Sequence, residues 1–175
     1  MCSSDLVDNA AIATLSGTLS GSTGNVDFTT QTRSDIDGAI ALTGAGTVTL
    51  DAATVSGVNI GTGGGVITLG GAFITDTGAV VIDATNGGGV GTGANIDFDS
   101  TVALGGALNV DGGTGGNVSF DSTVGIGANN LTVDNAAIAT LSGTLSGSTG
   151  NVDFTTQTRS DIDGAIALTG AGDRK

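Results

Sequence analysis

The chain has 175 residues, of which 33 are glycine, and it contains no proline, tryptophan, tyrosine or histidine. Its 17 acidic residues are all aspartate, against four lysines and arginines, so the formal net charge is −13. This composition excludes imidazole metal sites and Ser-His or Cys-His nucleophiles, and it argues against nucleic acid or an anionic membrane as a partner, because both attract basic surfaces. No apolar run approaches the ~20 residues of a membrane helix, so we expect no direct membrane insertion by this segment.

The two ends of the chain differ in composition from the rest. Residues 1–6 read Met-Cys-Ser-Ser-Asp-Leu and residues 173–175 read Asp-Arg-Lys, and codons for both strings match a common sequencing adapter and its complement. We interpret both ends as adapter-derived, which leaves residues 7–172 as a single repeat region of a longer protein. Because the ends hold two aspartates and two basic residues, the repeat region keeps 15 aspartates, two arginines and a net charge of −13. Cys2 then carries no information about redox chemistry.

The sequence is repetitive at two scales. At the larger scale, residues 7–46 recur unchanged as residues 133–172, an offset of 126. The sequence between the copies repeats only loosely. The identity of the copies therefore reflects either a recent duplication or an assembly loop through a repetitive gene, and the sequence leaves both explanations open.

At the smaller scale, a four-residue pattern recurs along the chain. Asn-Val-Asp-Phe at 25–28 is echoed at 47–50, 66–69, 95–98, 117–120 and 151–154. Each tetrad alternates polar and apolar residues, which is typical of a strand with one buried face. We therefore expect Val26 and Phe28 to point inward, and Asn25 and Asp27 to point outward.

Further alternating strands follow each tetrad. A second apolar pair comes after every tetrad, at Ile40/Leu42, Val58/Ile60, Val80/Ile82, Leu108/Val110, Leu131/Val133 and Ile166/Leu168. In two units a third pair lies between, at Val102/Leu104 and Val124/Ile126. Short strands followed by a glycine-rich return predict an all-β fold, a parallel β-helix (β-solenoid) with roughly 20–22 residues per coil. About seven coils would make a rod of roughly 35 Å. The competing fold is an antiparallel β-sandwich.

Matching positions of the tetrads predict two ladders along the rod. The asparagines Asn25, Asn95, Asn117 and Asn151 are expected to stack as an outward ladder. The phenylalanines Phe28, Phe98, Phe120 and Phe154 are expected to form an inward aromatic stack.

Aspartate is the only abundant reactive group. The close pairs are Asp35/Asp37, its copy Asp161/Asp163, and Asp97/Asp99. Paired carboxylates two residues apart on a strand face the same way and could serve acid–base chemistry on a glycosidic bond. No tryptophan or tyrosine is present to form a platform for sugar, so we interpret these residues as turn or solvated-face aspartates.

Other motifs are weaker. A calcium roll fails at 112–117, where Asn117 replaces the aspartate, and at 88–93, where Gly93 does; an irregular Ca²⁺ bridge between stacked aspartates stays open. The glycine-rich stretches 61–65, 87–93 and 111–116 lack the helix and lysine of a phosphate loop and are interpreted as turns. The sequence predicts no catalytic, cofactor-binding or metal-binding residue and no cofactor.

Three surface patterns complete the sequence. The outward Thr47 and Thr49 suggest an ice-binding ladder, but the matching positions vary too much. Asn117 and Asn130 match the glycosylation acceptor pattern, as chance matches do in a Thr/Ser-rich chain. Arg33 and its copy Arg159 are interpreted as surface arginines near Asp35 and Asp161, since no cluster of Asp, Arg and Lys is evident.

Coils of the form Gly-Asn-Val-Asp-Phe … Gly-Ala-Leu-Asn-Val-Asp-Gly-Gly-Thr-Gly-Gly resemble the repeat regions of filamentous-haemagglutinin-like exoproteins and autotransporter passenger domains of Gram-negative bacteria. The resemblance covers residues 7–172 and includes no catalytic motif. It implies a right-handed parallel β-helix on the outer bacterial surface or secreted from the cell.

The expected function is therefore a non-catalytic structural or adhesive rod. Its expected partners are neighbouring coils of the parent protein and, at the surface, host or bacterial glycans, proteins or other cells. The alternative is a carbohydrate-active β-helix enzyme or a Ca²⁺-bridged polysaccharide-binding module. An enzyme would be expected to break the coil pattern and gather charged residues in one groove.

Overall fold

The computed structural model describes residues 11–29 and 31–170, with the backbone alone at Gln157. The segments 1–6 and 173–175, interpreted above as adapter-derived, lie outside the described residues. None of the described residues forms a helix. Strands pair in parallel throughout, so the predicted all-β parallel solenoid is confirmed and the antiparallel sandwich is wrong.

The described part of the chain contains twenty strands, and all but β17 and β19 are three or four residues long. They are β1 (Ile12–Leu15), β2 (Leu19–Gly21), β3 (Val26–Phe28), β4 (Arg33–Ile36), β5 (Ile40–Leu42), β6 (Val48–Leu50), β7 (Ala53–Val55), β8 (Asn59–Gly61), β9 (Ile67–Leu69), β10 (Phe73–Thr75), β11 (Val80–Asp83), β12 (Ile96–Phe98), β13 (Val102–Leu104), β14 (Leu108–Asp111), β15 (Asn117–Phe120), β16 (Val124–Gly127), β17 (Leu131–Leu141), β18 (Leu145–Gly147), β19 (Val152–Ile162) and β20 (Ile166–Leu168).

The strands form three faces around one core. Face A is the eight-stranded sheet β1-β4-β7-β10-β13-β16-β18-β20. Face B contains β2, β5, β8, β11 and β14, and face C contains β3, β6, β9, β12 and β15. The long strands β17 and β19 bend from face B into face C and join these two faces into one 12-stranded sheet. Eight stacked strands on face A correspond to about seven turns of the chain.

The length of a coil varies along the solenoid. Val118 pairs with Ala139 in the next coil and Ile96 pairs with Val118, so these coils have the length that the sequence predicts. The coil between the partners Ile67 and Ile96 is longer. Its extra residues form a loop, residues 84–94, between β11 and β12. Coils therefore tolerate an insertion at a corner, where no strand has to be matched.

A third strand is present in every complete coil, whereas the sequence indicated it in only two units. The pattern was hidden because inward positions on face A carry small or polar residues, namely Ser34, Ala53 and Thr75, all of which are buried. The Thr75 hydroxyl is satisfied: its Oγ1 donates to the carbonyl of Gly106 at 3.0 Å and accepts from the amides of Gly105 and Gly106. A strand with such inward residues loses its apolar alternation in the sequence.

Inward side chains stack in columns because each residue lies beside its counterpart one coil away. Phe98 and Phe120 are direct partners, and their rings stack with centroids 4.6 Å apart. Phe28 lies in the same column, but Leu50 and Leu69 separate it from Phe98. The predicted aromatic stack is thus confirmed for the rings of Phe98, Phe120 and Phe154 and is wrong for Phe28.

The expected position of Phe154 is wrong. Phe154 pairs with Val133 on face B and not with a residue of the Phe120 column, yet its ring stacks on that of Phe120 across the core, with centroids 6.5 Å apart. Phe73, on face A, likewise contacts Phe98 edge-on at 5.4 Å. The aromatic contacts therefore link all three faces through the interior instead of following one column.

The second copy of the repeat occupies different faces from the first. Residues 12–15 pair with 33–36 on face A, but the identical residues 138–141 pair with 159–162 on face C. Likewise β5 belongs to face B and its copy β20 to face A. The matching of the tetrad at 151–154 to those at 25–28 and 117–120 is therefore wrong, because 151–154 lies on face B.

Turn glycines let successive coils approach closely. A Cβ added to Gly106 would collide with the backbone carbonyl of Gly78 in the preceding coil. Because this carbonyl is part of the backbone, it cannot move aside as the end of a flexible side chain could. Gly91, in the loop 84–94, has open space around its Cα and an ordinary φ. Of these two glycines, only Gly106 has the backbone of a neighbouring coil in the space that a Cβ would occupy.

We expect Gly106→Ala to lower the free energy of unfolding by about 1–3 kcal/mol, because the backbone of two coils has to separate. Gly91→Ala, the matched control, is expected to change it by less than about 0.5 kcal/mol. Urea unfolding followed by circular dichroism measures both. Equal effects of the two substitutions would contradict the close approach of the coils at Gly106.

Candidate functional site

The outward surface of face C presents a continuous column of oxygen-bearing side chains. At each coil the central outward residue of the strand is a carboxylate or a hydroxyl. The column comprises Asp27, Thr49, Thr68, Asp97, Ser119, Thr140 and Asp161. The mixture of residue types agrees with the sequence argument against a regular ice-binding ladder of Thr49 and its counterparts.

Asp97 is a partly buried carboxylate of this column. Burial raises its pKa, and the charges of Asp99 and Asp121 raise it further, while a hydrogen bond from Ser119 opposes the shift. Ser119 Oγ donates to Asp97 Oδ1 at 3.1 Å, from one coil to the next. The pair Asp97/Asp99 thus includes one half-buried carboxylate and one exposed one, and neither belongs to an ion pair of the described residues.

The predicted asparagine ladder forms in a different way from that expected. Asn25 Oδ1 accepts from the amide of Thr47 at 3.1 Å, and Asn95 Oδ1 accepts from the amide of Asn117 at 3.0 Å. Each asparagine therefore caps the backbone of the next coil instead of a second asparagine side chain. On face B, Asn130 Oδ1 accepts from the amide of Asn151 at 3.0 Å. The predicted alignment of Asn151 with Asn117 is therefore wrong.

Face B carries a row of aspartates that the sequence analysis missed. Asp83, Asp111 and Asp134 are register partners on three successive coils. All three follow a β-branched inward residue at the end of the second strand, in Val-Ile-Asp, Asn-Val-Asp and Thr-Val-Asp, and this pattern could have identified them. The pKa of Asp111 is raised: burial is the largest cause and the charges of Asp83 and Asp134 add to it, while the hydrogen bond from the Gly113 amide opposes the shift.

Asp83 and Asp111 accept hydrogen bonds from the turns that follow them. Asp83 Oδ1 accepts from the amide and hydroxyl of Thr85, both at 2.6 Å, and Asp83 Oδ2 accepts from the amide of Gly87 at 2.5 Å. Asp111 Oδ1 accepts from the amide of Gly113 at 2.9 Å. Their hydrogen bonds organise the turns at the end of face B. In the parts of the chain described, no group of three or more acidic or thiol side chains is arranged to hold a metal ion.

The two longest glycine-rich stretches, 87–93 and 111–116, stack on each other. The amide of Thr114 donates to the carbonyl of Gly91, and that of Gly115 to the carbonyl of Thr92, both at 2.9 Å. Gly93 has a positive φ of 56°, a conformation that glycine adopts without strain. The predicted turn role of these glycines agrees with this pairing of corner loops.

A polar groove of about 340 Å³ lies on face A, over three successive coils. Its lining comprises Arg33, Asp35, Asp37, Thr54, Ser56 and Asp76. The first three come from β4 and the residue after it, Thr54 and Ser56 from the next coil, and Asp76 from the coil beyond. This cluster is not evident from the sequence, because Asp76 and Asp37 are far apart in the chain and only coil stacking brings them together.

Within the groove, Arg33 is held by its own strand. Its Nη2 lies 2.6 Å from Asp35 Oδ2, and this hydrogen bond, together with the charge of Asp35, raises the pKa of Arg33. The copy is similar, with Arg159 Nη2 2.7 Å from Asp161 Oδ2. Both arginine side chains are more than half exposed, so water screens each pair and its contribution to stability is small. The proximity predicted for these residues is confirmed.

The chemical capacity of the groove follows from this pairing. Asp35 neutralises Arg33, so Asp37 and Asp76 supply the net negative charge, and Thr54 and Ser56 add hydroxyls. Such a lining can accept hydrogen bonds from hydroxyl-rich or cationic groups. It offers no aromatic side chain against which a sugar ring could stack.

The chain has no match among family models, curated proteins or solved structures. The described residues also contain no helix with the length and hydropathy needed to cross a lipid bilayer.

Because Asp97 and Asp111 have raised pKa values in the folded chain, the folded state binds protons more tightly than the unfolded state. At a pH above its folded pKa, each ionised carboxylate lowers the free energy of unfolding. This loss of stability disappears as the pH falls through that pKa. We expect the double variant Asp97→Asn/Asp111→Asn to be more stable than the parent at pH 7, and to gain less on acidification to about pH 4.

Urea unfolding at a series of pH values measures this difference. Asp27→Asn, at an exposed position of the same outward column as Asp97, is the control and should leave the pH dependence near that of the parent. A double variant with the parent's pH dependence would contradict the buried-carboxylate argument.

Proposed function

We propose that this chain is a non-catalytic structural or adhesive repeat segment of a large bacterial cell-surface or secreted protein. The observation that carries the proposal is the unbroken stacking of coils from β3 to β19, in which each strand pairs only with the coil before it and the coil after it. A solenoid of this kind can be extended without a new core, which suits a stalk or rod.

The charge distribution supports the same role. The core is apolar, the aspartates lie on outward positions and corners, and both arginines among the described residues are paired with aspartates. An acidic surface of this kind keeps neighbouring rods apart and gives no attraction to nucleic acid. Outward rows of hydroxyl, amide and carboxylate groups offer hydrogen-bonding partners to glycans or proteins on other cells.

The groove on face A favours a second candidate, a module that binds or cleaves polysaccharide. Its carboxylates Asp37 and Asp76 come from different coils and face one open space, which is where an enzyme of this fold would be expected to place charged residues. We prefer the rod, because Arg33 is already neutralised by Asp35 and no aromatic platform is present.

A cleavage screen separates the two candidates. The full chain is incubated with a panel of neutral and acidic polysaccharides, with and without Ca²⁺, and soluble products are measured as reducing ends and as ultraviolet-absorbing unsaturated sugars. We expect no turnover. Turnover that is abolished by Asp37→Asn or Asp76→Asn, and retained in the control Asp27→Asn, would replace the rod with the enzyme.

A binding assay tests the adhesive role. Latex beads coated with the full chain are expected to attach to cultured epithelial cells more than beads coated with chain unfolded in urea and then washed. Equal attachment of the two preparations would leave a structural stalk as the role and would contradict adhesion.

A further inference from the structure

In the last part of the solenoid, strand segments begin seven residues apart, and the first inward residues of successive segments lie six to eight residues apart. From β15 onward, strand segments begin at residues 117, 124, 131, 138, 145, 152, 159 and 166, where β17 and β19 each contain two segments. Three segments make one coil, so each residue pairs with the one three segments later, as Val118 does with Ala139 and Leu145 with Ile166. The first copy of the repeat has the same spacing, with starts at 12, 19, 26, 33 and 40.

A segment with this spacing is not tied to one face. The first copy places residues 12–15 on face A and residues 26–28 on face C. The second copy places the identical residues 138–141 on face C and 152–154 on face B. Two chemically identical stretches are therefore folded a third of a turn apart in one molecule.

The loop 84–94 accounts for the difference in phase. At seven residues per segment, the offset of 126 between the copies would hold 18 segments, which is a whole number of turns. The chain fits 17 segments into that offset, because the loop uses residues without contributing a strand to any face. The second copy therefore begins one face short of a complete turn.

Several inward side chains are buried in both placements, although Ile36 is fully buried on face A and its copy Ile162, in the last coil on face C, is 40% exposed. Ala13 is 3% exposed on face A, and its copy Ala139 is fully buried on face C. Val26 is 3% exposed on face C, and its copy Val152 is 5% exposed on face B. The inward neighbours range from alanine to phenylalanine, as in the pairs Val118/Ala139 and Phe120/Leu141, so the core accepts side chains of different size on one face.

We propose that residues 117–168 consist of interchangeable seven-residue units, so that a whole unit can be gained or lost while the solenoid persists and all following strands move round by one face. The number of units sets the direction in which outward residues point. The ion pair Arg33–Asp35 on face A and its copy Arg159–Asp161 on face C show one surface feature displayed on two sides of the rod.

Deletion of residues 142–148, which contain β18, tests the proposal in the full chain. Strand segments 152–154, 159–162 and 166–168 should then move to faces A, B and C. We expect the variant to keep its β-sheet circular dichroism and a single unfolding transition within about 10 °C of the parent.

Cysteine cross-links report the rotation directly, in a Cys2→Ser background. Thr140 and Asp161 are register partners in the parent, so Thr140→Cys/Asp161→Cys should oxidise readily there. In the deletion variant this pair should fail. The inward Ala139 and Leu141 are then expected to lie beside Ile166 and Leu168, so that the outward Thr140 lies beside the exposed Ala167 and Thr140→Cys/Ala167→Cys should form instead. Adjacent strands lie about 4.8 Å apart, within the Cα separation of a disulfide.

Deletion of residues 99–105, which contain β13, is the matched control. Here the strands are unevenly spaced, with starts at 96, 102, 108 and 117, and the following corner loop is bound to the loop before it through Thr114 and Gly91. A rotation by one face would separate these loops. We expect this variant to lose cooperative unfolding or more than about 20 °C of thermal stability.

The results decide between two situations. A folded variant lacking 142–148 with the exchanged cross-link, together with a damaged variant lacking 99–105, supports the interchangeable units. An unfolded variant lacking 142–148, a retained Thr140–Asp161 cross-link, or equal tolerance of both deletions would overturn them.

Discussion

The parallel hydrogen-bond ladder between successive coils is the constraint on which the rest of the structure depends. It places each residue about one strand spacing from its counterpart in the next coil, so every side chain has to be compatible with a near neighbour of the same orientation. Inward positions therefore form apolar columns, and outward positions form rows of hydroxyl, amide or carboxylate groups. The stacked rings of Phe98 and Phe120 and the amide caps made by Asn25 and Asn95 are direct results of this alignment.

The same ladder is unfavourable for carboxylates, since it brings identical charges together. Asp83, Asp111 and Asp134 occupy one row with no basic side chain among them, and burial adds to the effect at Asp111. The chain offsets this cost with local donors: turn amides bind Asp83 and Asp111, and Ser119 binds Asp97. An acidic solenoid with two arginines and no lysine in its coils thus uses backbone amides and hydroxyls, besides its two salt bridges, to accommodate its charge.

The three faces are equivalent enough that identical sequences can occupy different ones. Equivalence follows from the segment spacing, because three units of seven residues close one coil and return the chain to the same face. It ends at the corner loops 84–94 and 111–116, which bind each other and fix the phase of the coils around them. The solenoid therefore combines a part whose phase is determined by loop contacts with a part whose phase is determined only by counting residues.

The sequence by itself determined the solenoid class and most strands of faces B and C with their inward residues, because alternation and repetition are local properties of a stacked coil. It did not indicate β2 or the segments 138–141 and 159–162. It did not reveal the strands at Ser34, Ala53 and Thr75, whose inward residues are small or polar. The tertiary structure alone decided which face each segment occupies, and so separated Phe154 and Asn151 from their expected columns. It also brought Asp76 to Asp37 in the groove on face A. The physical reason is that phase accumulates over every residue of every preceding coil, so one loop without a strand rotates everything that follows.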